Sequence, residues 1–254
     1  MRPLALFLFF VLSLGGCTSS SSPKSGDGDS ENPLYALTLM RQGSLMLQQG
    51  RFEAALDKFE EAEKVTPGNA TILNMMGLCH MRLGQNDRAL MAFDSALALI
   101  PAFTDARNNR GATYLAMGQY RMAEVDFGAV LDDSTYPHRF DVYYNLAMTY
   151  LQQGVTAAAK ANFRNALDPN QPVFEAYLQL ATIEQQEGSP DEAIRLLEEA
   201  IFEFPTRIEA PMALGTLLTH LGREKEAATY LQRVINDQPN SARANEARRL
   251  LGGD

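Results

Sequence analysis

The sequence predicts an all-α fold made of six consecutive helical hairpins and a closing helix. Glycines recur at intervals of 34, 34, 36, 34 and 34 residues, at Gly50, Gly84, Gly118, Gly154, Gly188 and Gly222. An alanine follows each of them by five residues, at Ala55, Ala89, Ala123, Ala159, Ala193 and Ala227. A fixed period near 34 residues is typical of a repeat architecture in which each unit is a pair of helices.

The unit of residues 70–103 shows how one hairpin is encoded. Spacings of three and four place the apolar and small residues of its first half on one helical face, namely Leu73, Met76, Gly77 and His80. Gly84 breaks this helix, and Asp87 is expected to cap a second one. The second helix repeats the spacing at Ala89, Phe93 and Ala96. Pro101 ends it, because proline lacks the N–H donor and clashes with the preceding turn.

Small residues at the eighth position of each unit predict close helix packing. This position holds Gly43, Gly77, Gly111, Ala147, Ala181 and Gly215. A glycine inside a helix costs about 1 kcal/mol relative to alanine, so four of them require a reason. Position 24 is large in every unit, at Phe59, Phe93, Phe127, Phe163, Leu197 and Leu231. We expect the large side chain to fill the space that the small residue leaves.

The pattern of Gly at position 8, Tyr at 11, Ala at 20, Phe at 24, Ala at 27 and Pro at 32 resembles the tetratricopeptide repeat. The resemblance implies a right-handed α-solenoid of six units, at residues 36–69, 70–103, 104–137, 140–173, 174–207 and 208–241. Units three and four depart from it, since Thr135 and Gln171 replace the proline. Residues 242–254 form the capping helix and tail, with Ala244, Ala247, Leu250 and Leu251 on the apolar face.

The N-terminus has the pattern of a cleaved export signal at residues 1–16. The apolar run from Leu4 to Leu14 is too short to span a bilayer. Leu14-Gly15-Gly16-Cys17 resembles a bacterial lipobox, and an ordinary secretory signal is the alternative. The resemblance implies a covalent diacylglycerol and an N-acyl chain on Cys17, with no other cofactor. Thr18 rather than aspartate favours anchorage at the outer membrane, facing the periplasm.

Residues 17–35 are predicted to be a lipidated cysteine and a flexible tether, because they are rich in Ser, Gly and Asp. Residues 18–33 of this stretch, sixteen residues, have a root-mean-square reach of roughly 20–24 Å. The repeats should therefore lie near the membrane without entering it.

Composition and motifs argue against a catalytic function and against nucleic-acid binding. The formal net charge is −9 and there is no basic tract. The histidines His80, His138 and His220 fall in different units, so no metal site is predicted. No catalytic motif or phosphate loop occurs, so we expect neither an enzyme nor a small-molecule substrate. Cys79 occupies an apolar column of the repeat and is expected to be a buried structural thiol.

The candidate binding surface is the concave face, lined by positions 5, 9 and 12 of each first helix. The predicted groove consists of Met40, Leu47, Asn74, Leu78, Met81, Asn108, Leu115, Tyr144, Met148 and Leu151. An apolar surface with methionines is typical of an adaptable protein-interaction site. The alternative is that neighbouring helices cover these side chains. Asn74 and Asn108 resemble half of a carboxylate clamp, but Arg82 is the only cation beside them, so no clamp is expected.

The 36-residue interval falls at residues 131–147 and contains Tyr136-Pro137, which favours an extended or turn conformation at Tyr136. Two interpretations of the longer interval remain open: the array of repeats bends here, or the loop tolerates an insertion.

With the lipobox, the tether, the six units and the stretch Asp168–Pro172, this segment resembles type IV pilus pilotins of the PilF/PilW/Tgl group. The resemblance implies binding of the secretin subunit and help in its assembly. A lipoprotein scaffold for another envelope system, such as barrel assembly or cell-wall enzymes, is the alternative.

Overall fold

A computed structural model describes residues 33–252, which form thirteen α-helices and no strand. The predicted all-α repeat fold is confirmed. The export signal, Cys17 and the tether up to residue 32 lie outside the described residues. The helices are α1 Pro33–Gln48, α2 Phe52–Val65, α3 Ala70–Arg82, α4 Asn86–Leu99, α5 Thr104–Ala116, α6 Tyr120–Leu131, α7 Arg139–Gln152, α8 Thr156–Asn165, α9 Phe174–Gln186, α10 Pro190–Glu203, α11 Glu209–His220, α12 Glu224–Asp237 and α13 Ala242–Leu250.

Three residues separate the two helices of every hairpin, and the periodic glycine is the middle one. At the end of α3, Gly84 has φ +72°, the left-handed conformation that glycine adopts without steric cost. Its N–H donates to the Met81 carbonyl at 3.1 Å, and the N–H of Gln85 donates to the His80 carbonyl at 2.9 Å. These two bonds form a Schellman motif, which satisfies carbonyls that the helix end would leave unpaired.

Two predicted helix ends are corrected by the structure. Asp87 does not cap α4, because the helix begins at Asn86 and its N-cap residue, Gln85, makes no side-chain hydrogen bond to it. Asp87 lies instead in the first turn, where a carboxylate is still favoured by the helix dipole. Helix α1 begins at Pro33, inside the stretch assigned to the tether. Proline suits the first turn of a helix, where its missing N–H costs no hydrogen bond.

The chain divides into two compact units, the first ending at Thr113 and the second beginning at Tyr114. In the first unit α1 packs on α2, α2 on α3, and α3 on α4. Its core around α1–α3 consists of Leu39, Ala55, Phe59, Ala62, Ile72 and Cys79. In the second unit consecutive helices from α6 to α13 pack on one another. Its core includes Phe163, Phe174, Leu180, Leu214 and Leu231.

The small residue at position 8 allows the facing side chain to reach the backbone of the first helix. A Cβ atom built on Gly43 would lie 2.8 Å from the Phe59 ring, and one on Gly77 would lie 2.6 Å from the Phe93 ring. On Gly215 it would lie 2.6 Å from Leu231. Real Cβ contacts are not that short, so the predicted reason for these glycines is confirmed.

The connections between hairpins are less uniform than the turns within them, with four to eight residues. Residues 132–138 join α6 to α7 and include the predicted turn at Tyr136-Pro137. The Tyr136 side chain is buried, and its ring makes an edge contact with His138 at 5.8 Å between centroids. The connection formed by residues 132–138 is therefore anchored to the protein through the buried side chain of its tyrosine.

Position 11 of unit five carries Glu184, where units three and four have tyrosine. This carboxylate is buried on α9 and pairs with Lys160 at 2.9 Å and Arg164 at 3.0 Å, both on α8. The cations compensate for removing the carboxylate from water. At the C-terminus, α13 buries Ala244 and Ala247 and partly buries Leu250, whereas Leu251, which was also predicted to be apolar-facing, is exposed.

Replacement of Gly77 by alanine is expected to destabilise the protein by about 1–3 kcal/mol, because the new methyl group overlaps the Phe93 ring. Gly128 in α6 is a matched control, since a Cβ there meets nothing within 4 Å. Gly128→Ala should raise stability by about 0.4–1 kcal/mol, because alanine reduces the entropy of the unfolded chain. Urea unfolding followed by far-UV circular dichroism measures both. Equal effects of the two substitutions would contradict the packing role.

Cys79 is fully buried, and burial raises the pKa of its thiol from 9.0 to about 12. In a Cys17→Ser background, we expect iodoacetamide to leave the native protein unlabelled at pH 8 and to label it in urea, because only the thiolate reacts. The unfolded chain deprotonates near pH 9, so the stability from the neutral thiol is present below that pH and declines as pH rises toward 12. Rapid labelling of the native protein would show that the thiol is accessible.

Candidate protein-interaction surface

The predicted groove residues are distributed over both compact units. Met40, Leu47, Asn74, Leu78, Met81 and Asn108 lie in the first unit, and Leu115, Tyr144, Met148 and Leu151 lie in the second. All of them except Asn74 are partly exposed. In particular, Leu78 on α3, Leu115 on α5 and Met148 on α7 are only partly covered by their own chain.

In the first unit the apolar groove residues come from α1 and α3. Met40 and Leu47 pack with one side against the core around Phe59 and leave the rest of the side chain open to solvent. Leu78 and Met81 are partly exposed one turn apart on α3. The two side chains on α1 are thus held in place by the core, and the two on α3 expose apolar area that a partner could contact.

Asn74 does not contribute to an exposed surface, because only 3% of it is accessible. Its side-chain Oδ1 accepts a hydrogen bond of 3.0 Å from Nδ2 of Asn109, which links α3 to α5. The residue thus joins two neighbouring repeats. Asn108, its counterpart in the next unit, is partly exposed, and its Oδ1 is buried with no hydrogen-bond partner within residues 33–252. This arrangement gives no pair of asparagines directed at a ligand carboxylate.

In the second unit three groove residues lie on α7. The Tyr144 ring packs on Phe163 with centroids 5.6 Å apart. Burial, and then the charge of Glu175, raises the pKa of the Tyr144 hydroxyl, so this group stays neutral and can donate a hydrogen bond. Met148 and Leu151 are partly buried against the same core. An apolar strip with one polar hydroxyl results on α7.

The corresponding positions of the last two units are less apolar on the surface. Leu178 is partly exposed and Thr182 is exposed, whereas Met212 is buried. The hydroxyls of Thr182, Thr216 and Thr219 each donate to a carbonyl four residues earlier in the same helix. They are already satisfied, so these threonines offer a partner mainly their methyl groups.

The described residues contain no group of three or more His, Cys, Asp or Glu side chains that could hold a metal ion. Among the three histidines, His80 is buried, with Nδ1 2.8 Å from the Gln85 side-chain oxygen, and His138 lies near Asp141 at 3.8 Å. Within residues 33–252 no helix has both the length and the apolarity needed to cross a bilayer.

The sequence analysis did not single out a second surface feature, a pocket of about 430 Å³ beside α10. It is lined by Leu167, Pro169, Tyr177, Arg195, Glu198, Glu199, Phe202 and Glu203. The signal that could have found it is an aromatic residue at a position where the other units have polar or small residues.

Comparison with known proteins agrees with this architecture. A tetratricopeptide repeat model matches residues 40–104 and 144–208, together about half of the chain, and a second such model matches residues 184–251. A comparison with curated protein sequences found no match.

Several solved structures share the fold. Pseudomonas aeruginosa PilF is 21% identical, with a TM-score of 0.69 over 84% of this chain and 96% of its own. PilW, described as a widely conserved type IV pilus biogenesis factor, is 19% identical, with a TM-score of 0.71 over 83% of this chain and 97% of its own. A tetratricopeptide repeat protein from Parabacteroides merdae is 21% identical, with a TM-score of 0.62 and 85% of each chain covered.

At these identities the structural likeness establishes the fold. The repeat models cover the hairpins at both ends of the described region, and consecutive helices pack on one another from α1 to α4 in the first unit and from α6 to α13 in the second. The chain belongs to the tetratricopeptide repeat family.

Proposed function

We propose that this protein is a lipid-anchored pilotin, which binds the secretin subunit of the type IV pilus and promotes its outer-membrane targeting and multimer assembly. The observation that carries the proposal is the likeness to PilF and PilW, which extends over more than four-fifths of this chain and nearly all of theirs. Partly exposed apolar side chains suited to that role occur in each compact unit, on α1 and α3 in the first and on α7 in the second.

The binding step follows from the apolar surface. A secretin subunit must keep its membrane-inserting segments covered until the ring assembles. Each Å² of apolar surface removed from water contributes about 25 cal/mol, so even a short amphipathic segment gains by lying against Leu78 and Met81 or against Met148 and Leu151. Methionine side chains are flexible and polarisable, which lets them fit different apolar groups.

The anchoring step rests on Cys17, which is proposed to carry a diacylglycerol and an N-acyl chain. One acyl chain binds a membrane only marginally, whereas several give a stable anchor. The tether, with a root-mean-square reach of roughly 20–24 Å, then keeps the repeats close to the outer membrane on its periplasmic side. The lipid would supply location, and the apolar side chains recognition.

Deletion of the gene is expected to abolish heat-resistant secretin multimers on immunoblots of cell envelopes, because unassisted subunits would not assemble. Twitching motility should be lost with them. Complementation with the Cys17→Ser chain should restore neither, since the anchor is missing. Unchanged multimers after deletion would overturn the pilotin function and leave a scaffold for another envelope system.

Charged or polar substitutions in the groove are expected to remove secretin binding while leaving helicity unchanged, because Leu78 and Met148 are partly exposed. We expect about a tenfold loss for Leu78→Asp, because a charge replaces apolar area that the partner would bury, and a smaller loss for Met148→Gln, whose side chain stays neutral. Met91→Gln on α4 is the matched control, as Met91 is 70% exposed and lies outside the groove. Co-purification of the secretin measures binding, and equal retention by all three variants would contradict the groove.

A further inference from the structure

The pocket beside α10 combines an apolar floor with an acidic rim. Leu167 and Pro169 come from the connection between α8 and α9, and Tyr177 comes from α9. The other side is one face of α10, which contributes Arg195, Glu198, Glu199, Phe202 and Glu203 at helical spacings of three and four. The volume of about 430 Å³ suits one or two side chains of a partner.

Phe202 is not needed for the packing of the repeat. Its side chain is 82% exposed, which is the largest exposure among the large hydrophobic residues of the described region. The same position of the other units holds Lys64, Ala98, Asp132, Asp168 and Asn236. The ring therefore exposes apolar area that the fold neither requires nor covers, next to a pocket.

The charge around the pocket is unbalanced. Arg195 is its only lining cation, and its guanidinium is already paired with Glu192 and Glu199 on the same helix. Within residues 33–252, Glu198 accepts one hydrogen bond, of 3.3 Å, from the Tyr230 hydroxyl. Glu203 has no hydrogen-bond or ion-pair partner in the same region. Burial, followed by the charges of Glu199 and Glu203, raises the pKa of Tyr177 against the opposing charge of Arg195, so the hydroxyl beside the pocket stays neutral.

The second unit already holds one guanidinium in surroundings of this kind. The Cζ atom of Arg207 lies 4.0 Å from the centre of the Phe174 ring. Its nitrogens pair with Glu175 at 3.2 Å and Glu209 at 3.1 Å. An aromatic face and two carboxylates together satisfy a planar cation, because the ring attracts its charge and the carboxylates accept its hydrogen bonds.

We propose that the pocket beside α10 is a docking site for an arginine side chain of a protein partner. The guanidinium lies over the Phe202 ring and pairs with Glu203, and an apolar neighbour of that arginine contacts Leu167. Lysine fits less well, since its compact ammonium cannot form the planar stack. The site lies outside the predicted groove and is independent of which client occupies that groove.

The chain has no tryptophan, so Phe202→Trp introduces a single fluorescent reporter into the pocket while keeping an aromatic face. The probe is the peptide N-acetyl-Leu-Arg-Leu-amide, and the same peptide with citrulline, which has the shape of arginine without its charge, is the matched control. The full acylated chain in detergent serves as the protein. We expect a saturable fluorescence change within about 10 mM of the arginine peptide. The citrulline peptide should bind about fivefold more weakly or not at all.

Two further variants locate the effect. Glu203→Gln in the Phe202→Trp chain should weaken the arginine peptide about threefold, because it removes the unpaired carboxylate. Met91→Trp, a reporter at an exposed site on α4, should show no saturable change. Equal binding of both peptides, an equal response at Met91→Trp, or no response up to the highest concentration would each overturn the proposal. Far-UV circular dichroism checks that the variants remain folded.

Discussion

The close approach of a large side chain to a helix backbone that lacks a Cβ atom determines how each hairpin is built. At Gly43, Gly77 and Gly215 the opposing ring or leucine occupies the space of the missing methyl group. This contact fixes the separation of the paired helices, and it recurs in the first and the second compact unit. Because the two helices are held close, their remaining apolar surface is directed to the neighbouring hairpins, and stacking becomes necessary for stability.

The contact also explains how surface side chains become available for binding. Position 8 is directed toward the partner helix, and position 9 on the same helix is rotated by about 100° from that contact. Leu78 at position 9 is consequently only partly covered, although it belongs to a helix whose other face is core. Met81 at position 12 lies on the same side as position 8, one turn further along, and is partly exposed next to the last residue of the helix. The small residue of the repeat packs inside the hairpin, and neighbouring apolar residues on the same helix remain partly exposed and can contact a partner.

Much of this could be predicted from the sequence, and the parts that could not have physical reasons. The periodic glycines and the pairing of Gly77 with Phe93 are local features, so spacing alone identified them. The role of Asn74 was missed, because its hydrogen bond goes to Asn109 in another repeat and depends on tertiary packing. Asp87 was predicted to be the N-cap because aspartate favours that position, but the Schellman turn at Gly84 places the N-cap two residues earlier, at Gln85. The pocket beside Phe202 was missed because its lining comes from α9, α10 and the connection between α8 and α9, which are brought together only by tertiary packing.

The uniform three-residue turns constrain how this protein can change during evolution. A turn closed by one left-handed residue and two backbone hydrogen bonds has no slack, so an inserted residue would break the hairpin itself. The connections between hairpins already differ in length, and the segment 132–138 holds its extra residues in place by burying Tyr136. Length variation among relatives should therefore collect between repeats, where a new loop can be selected for a new client without disturbing the helices that support it.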